Sequence, residues 1–254
     1  MHDVILGLAL VVALFCAFLL CIESGFRFGH AGGRAQRSVP STIENGVFAL
    51  LALLLAFAFG GGIDRLNARR ELVLREANAI ETAYRRVDLL PAREQPAMRA
   101  IFARYLDARL AAYDNVADRP ATAAKFAAAE RIQDEIWTVA VRASRDPSRQ
   151  SVPILVLPAL NEMFDVTTNR AIALYVQTPP FIMAVLVGVA LLACALAGYS
   201  MAAQPARSGV HSFAFAAILA LTVYGVVDLD YARYGAIRVN AADQVLTRLR
   251  DSIH

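Results

Sequence analysis

Four apolar runs punctuate the chain, at 4–22, 43–62, 181–201 and 210–227, and each is long enough to cross a bilayer as a helix. The second run organises the rest. It follows a turn-forming patch at Ser41, Thr42 and Asn45 and ends in Gly60-Gly61-Gly62. It then continues without a break into a charged stretch, IDRLNARRELVLREANAIETAYRRVDLL. Within that stretch Leu66, Val73, Ala77, Ile80, Tyr84 and Val87 recur at helical spacing, which predicts one apolar face. Glu71 with Arg75, and Glu81 with Arg85, lie four apart with the acid first, the better orientation for ion pairs along a solvated face.

No glycine occurs between Gly62 and Gly188, so the intervening segment reads as successive helices punctuated by proline. The pattern predicts helices over 95–113 and 120–145, with Pro120 in a first turn. Asp146-Pro147-Ser148 breaks the chain, and a further helix starts at Pro153 or Pro158 and runs toward the third span. Pro179-Pro180 opens that span, and the short 202–209 connection makes spans three and four an antiparallel hairpin. A final amphipathic helix carries Val245, Leu246 and Leu249 on one side.

The fold class expected is therefore all-α, with four transmembrane helices and a helical extramembrane domain inserted between spans two and three. The domains are 1–62 (spans one and two), 63–178 (helical domain), 179–227 (spans three and four) and 228–254 (C-terminal interfacial segment and helix). A signal peptide is the rival reading of the first run. No lysine or arginine precedes its core and no small-x-small cleavage site stands before Glu23, which favours a retained helix. Residues 23–40, with Gly25, Gly29, Gly32, Gly33 and Pro40, read as a flexible loop because their spacing is not that of a phosphate-binding loop.

Composition supports the same class. The 254 residues are 57% hydrophobic, above the range of ordinary soluble domains. A net charge of +3, with acids and bases intermixed, gives no basic footprint for nucleic acid. Arginine supplies all but one of the 25 cationic side chains, Lys125 being the exception. Arg65, Arg69, Arg70, Arg75, Arg170, Arg233 and Arg238 lie on the domain side, against Arg27, Arg34, Arg37 and Arg207 in the opposite loops. By the positive-inside rule the helical domain and both termini are cytoplasmic, in a multi-pass protein of the inner (plasma) membrane. Cys16, Cys21 and Cys194 lie in or beside apolar runs, and the four histidines are scattered. No metal site, cofactor or disulfide framework is expected.

Hydrolase, metalloprotease, nucleotide-binding and dinucleotide-binding motifs are missing, so an enzyme is not expected. The candidate functional positions are instead polar groups at membrane boundaries. Glu44 stands where it complements a helix dipole or faces a water-filled path. Asp228 and Asp230, followed by Arg233 and Arg238, read as interface anchors, as a cation-attracting vestibule or as a latch onto Arg65, Arg69 or Arg70. Asn161, Glu162, Asp165 and Arg170 read as helix-to-helix pairing or as a polar approach to span three. For a pore, Phe48, Ala52, Leu55 and Phe59 form a stripe that could gate by dewetting around an oligomer axis, against ordinary helix packing or lipid contact. Gly60, Gly61 and Gly62 would serve as a hinge or allow close backbone approach.

Three stretches, REANAIETAYRRVDLLP (75–91), ALNEMFDVTTNRAIAL (159–174) and VVDLDYARYGAIRV (226–239), together with the flanking spans, resemble the bestrophin-like domain family of bacterial membrane proteins, a family of unknown function. That family is distantly similar to bestrophins. Bestrophins are pentameric anion channels with four membrane helices per subunit, a cytosolic helical domain and a phenylalanine-containing apolar neck on the second span. Phe48, Phe57 and Phe59 lie in the matching span. The bestrophins' proline-containing neck motif and acidic calcium clasp are not seen, so no bestrophin site carries over residue by residue. The resemblance implies an oligomeric ion channel with span two around the axis, in contact with the bilayer, with other copies of itself and with a small inorganic ion. The alternative is a non-conducting membrane scaffold or sensor whose helical domain binds a soluble partner.

Overall fold

The computed structural model describes residues 2–31, 41–113, 119–145, 152–202, 209–230 and 240–253, and among these the protein is all-helical. The helices are α1 (His2–Ala31), α2 (Ser41–Arg85), α3 (Gln95–Tyr113), α4 (Arg119–Ala143), α5 (Leu157–Ala173), α6 (Pro180–Met201), α7 (Gly209–Asp230) and α8 (Asn240–Ser252). Among the described residues four segments are long and apolar enough to cross a membrane: Ile5–Ala31, Thr42–Leu89, Pro180–Met201 and Gly209–Asp230. The chain divides into two compact units, one of Met1–Leu66 with Gln177–Arg238 and the other of Asn67–Val176 with Val239–His254.

In the first unit, α1 packs mainly on α6 and α7. Phe18, Ile22, Leu186, Ala190, Ala193, Cys194, Leu219, Ala220 and Val223 make its buried centre. One expectation is corrected here. Residues 23–31 are the last turns of α1, not a loop. Arg27 Nε donates to Glu23 Oε1 at 2.8 Å, Ser24 Oγ to the Leu20 carbonyl at 2.7 Å, and the Phe26 and His30 rings stack at 5.5 Å. The glycines are there to remove side chains. A Cβ on Gly25 would overlap the Ala195 carbonyl, and one on Gly198 would overlap the Ile22 carbonyl. At Gly29 a Cβ would press to 2.7 Å from that of Ala202. Where lipid removes the hydrophobic drive between helices, such close backbone approach supplies the packing that holds them.

In the second unit the stripe read from sequence is the buried face of α2. Val73, Ala77, Ile80 and Val87 are buried, and Tyr84 packs partly buried beside them. They meet Met98, Phe102, Tyr105 and Leu106 of α3, Ile136 and Ala140 of α4, Leu160 and Met163 of α5, and Leu246 and Leu249 of α8. The Glu71–Arg75 and Glu81–Arg85 pairs form at 2.6 Å each on the exposed face. A short 3-10 turn, Arg86–Leu89, follows α2, and Gln95 Nε2 ties it down by donating to the Leu90 carbonyl at 2.9 Å. A π-helical turn at Val152–Val156 leads into α5, with Pro158 in its first turn, where a missing N–H costs nothing. Arg69 closes the far end by donating to the carbonyls of Ala173 and Val176, at 3.1 and 2.7 Å. The C-terminal α8 is fixed by Arg250 Nε to Asp107 Oδ1 at 2.9 Å. The expected break at Asp146-Pro147-Ser148 lies outside the described residues.

Candidate functional site

The most enclosed polar group lies in the second unit. Glu76 on α2 is fully buried and accepts from two guanidiniums, Arg109 of α3 and Arg170 of α5, themselves 3% exposed. Arg109 Nε donates to Glu76 Oε1 at 2.7 Å, and Arg170 Nη1 binds Glu76 Oε2. Arg109 Nη2 also donates to Tyr113 Oη at 2.7 Å and to the Thr167 carbonyl at 3.4 Å. The Arg170 guanidinium carbon lies over the Tyr113 ring, 3.8 Å from its centroid, and that of Arg109 sits 5.4 Å from the centroid of Phe126. Gln133 extends the network from α4, its Nε2 donating to Tyr105 Oη at 3.0 Å and Thr167 Oγ1 at 2.9 Å.

Register explains this convergence. Glu76 is three residues from Val73 and four from Ile80 on the buried face of α2. Arg109 continues the α3 series Phe102, Leu106 and Tyr113, and Arg170 continues the α5 series Leu160, Met163 and Thr167. Each charge therefore occupies a core position, where it must be paired. Burial by itself pulls Arg109 down, but the carboxylate of Glu76 and the hydroxyls of Tyr113 and Tyr105 outweigh it and hold the guanidinium above its ordinary value. The same burial pushes the Tyr105 hydroxyl up to about 12, with the positive charge of Arg109 pulling the other way. Of these residues only Arg170 is among the positions picked out by sequence. Its partner is Glu76, not Asn161, Glu162 or Asp165. Those three share the exposed face of α5 and make no side-chain bond among the described residues.

In the first unit, Asp230 at the end of α7 is 4% exposed and meets Arg65 of α2, whose Nε donates to Oδ1 at 2.8 Å. Arg65 Nη2 also reaches Thr178 Oγ1 at 2.6 Å, and the Thr178 amide donates to Asp230 Oδ2 at 3.3 Å. Asp228, one helical turn from Tyr224, accepts from its hydroxyl at 2.9 Å. Arg233 and Arg238 lie outside the described residues. Glu44, in the first turn of α2, accepts from Ser200 Oγ of α6 at 2.6 Å. It lines a pocket of about 370 Å³ with His211 and Ser212.

The four stripe residues of span two do not share one environment. Phe48 and Leu55 are half-buried against the bundle, with Phe48 edge-on to Phe215 at 6.0 Å. Ala52 and Phe59 are exposed, as are Leu50, Leu53 and Phe57. Helix α2 runs unbroken through Gly60, Gly61 and Gly62. A Cβ on Gly62 would lie 3.0 Å from Leu229 Cβ, whereas one on Gly60 would meet nothing among the described residues. Among the described residues no cluster of histidine, cysteine, aspartate or glutamate could hold a metal ion.

Four apolar helices and a second unit closed around buried ion pairs define a polytopic α-helical membrane protein. The Bestrophin-like domain model matches residues 9–243, and the chain belongs to that family. Comparison with curated proteins and with solved structures gives no match.

Proposed function

We propose that the protein is the subunit of an oligomeric, bestrophin-like ion channel of the inner membrane, with α2 beside the axis. The observation that carries this reading is the bare outer face of α2. Only 11% of its most apolar stretch is buried, as in α1, against 28% and 33% for α6 and α7, and what sets α2 apart is the row of small residues on that face. Opposite its buried Leu51 and Gly62, the small residues Gly46, Ala49, Ala56 and Gly60 recur at spacings of three, seven and four. A Cβ at Gly46 or Gly60 would meet nothing among the described residues, so packing among them does not explain these glycines. Small residues on a bare membrane helix suit close approach of a second helix, and the occupant proposed is α2 of a neighbouring copy. Ala52 and Phe59 then form the apolar neck, Phe48 and Leu55 brace it from behind, and Gly60 to Gly62 are the joint at its end. The cargo is a small inorganic ion, and the helical unit and both termini are cytoplasmic.

Purified protein reconstituted into liposomes tests the reading. A multimeric particle with ion flux that rises in Phe59→Ala is the expected result. A monomer without flux under any salt or voltage overturns it.

A further inference from the structure

The second unit holds an open pocket of about 350 Å³ between α3, α4 and α5, a volume in the range of small-molecule sites. Arg109 lines it, and the three nitrogens of that guanidinium are not equally satisfied. Nε and Nη2 are committed to Glu76, Tyr113 and the Thr167 carbonyl, whereas Nη1 has no acceptor among the described residues. A buried N–H without an acceptor is costly, so this group is poised to take a ligand oxygen. Other lining groups offer the opposite chemistry. Gln133 spends its Nε2 on Tyr105 and Thr167, leaving Oε1 as an acceptor, and the exposed Glu130 carboxylate has no ion-pair partner among the described residues. Phe126, Ala127 and Ile172 supply apolar wall.

We propose that this pocket binds a small zwitterion with an apolar body, a free α-amino acid by chemical class. Its carboxylate accepts from Arg109 Nη1, and its ammonium donates to Gln133 Oε1 and Glu130. The pocket lies wholly in the second unit, so the proposal does not depend on ion conduction.

Calorimetric titration of the full-length protein in nanodiscs tests it with three probes: L-valine, isovalerate, which lacks the ammonium, and isobutylamine, which lacks the carboxylate. Valine is expected to bind with a Kd of about millimolar or tighter, and each truncated probe about tenfold or more weaker. Glu130→Gln lies on the exposed surface, leaves the buried triad intact and is expected to weaken valine about tenfold while leaving isovalerate unchanged. Ala127→Trp, also at an exposed position, fills the pocket and is expected to abolish binding with the helical circular dichroism unchanged. Absence of valine binding, equal binding of isovalerate, or indifference to both substitutions overturns the proposal.

Discussion

The two units are held together by opposite means. In the first, helices α1 and α6 approach because Gly25, Gly29 and Gly198 have no side chain to keep them apart. In the second, helices α2, α3 and α5 converge on one buried carboxylate shared by two guanidiniums. The difference goes with composition, since the first unit holds apolar helices long enough to cross a membrane and the second is built of charged, amphipathic ones. Between apolar helices in lipid, attraction comes from close packing, and a protruding methyl disrupts it. In a bundle of amphipathic helices, apolar burial already provides the drive, and buried charges constrain which faces meet, provided every partner is present.

That contrast can be broken from either side. The largest effect is expected at Glu76. Glu76→Ala strands two buried guanidiniums and should cost the second unit about 3–5 kcal/mol. Hydrogen exchange would show it as lost protection across α3 and α5, with α1 and α6 unchanged. Gly198→Val forces a side chain into the Ile22 carbonyl, and overpacking of this kind costs about 1–3 kcal/mol. Denaturant titration should show the loss, and here protection should fall in α1 and α6 and persist in α3. If either substitution loosens both units equally, the division of labour is wrong.

Tyr105 gives a pH-dependent contribution. Its hydroxyl is pushed up to about 12 by burial, so the folded protein holds that proton more tightly than the unfolded chain, where tyrosine titrates near 10. Its contribution is complete below about pH 10 and is lost as pH rises through about 12. Tyr105→Phe should lower the unfolding midpoint at neutral pH, the lost hydrogen bond being worth about 1 kcal/mol. It should also flatten the alkaline limb measured between pH 8 and 12. Smallest of all is Arg85→Gln, which breaks the exposed pair with Glu81 and should change stability by less than about 0.5 kcal/mol.

Periodicity made the second unit's architecture legible. The stripe from Val73 to Val87 is buried apart from the half-buried Tyr84, and the expected helix over 95–113 has those bounds, because proline and apolar spacing act locally. The charged centre was harder to read. Glu76 and Arg109 stand on apolar stripes, and a reading that assigns every charge to the solvated face passes over them. An acid or base at a core register is the available signal, and it needs a partner from another helix before it means anything. The end of α1 departs from the loop expected there for a related reason. Gly25 and Gly29 suggest a turn until Gly198 on α6 shows what their missing side chains make room for. Likewise the spacing of Phe48, Ala52, Leu55 and Phe59 identified one helical stripe, but not that bundle packing half-buries Phe48 and Leu55.

Thiol modification of single-cysteine variants during current recording tests the central claim most directly. With Cys16, Cys21 and Cys194 replaced, cysteines are placed in turn at Ala52, Phe59 and Leu50. If α2 borders a conducting axis, a water-soluble thiol reagent should block current through the Ala52→Cys and Phe59→Cys proteins and leave Leu50→Cys open. Current that is indifferent to the reagent at both neck positions, or no current from any variant or the parent, would contradict the account.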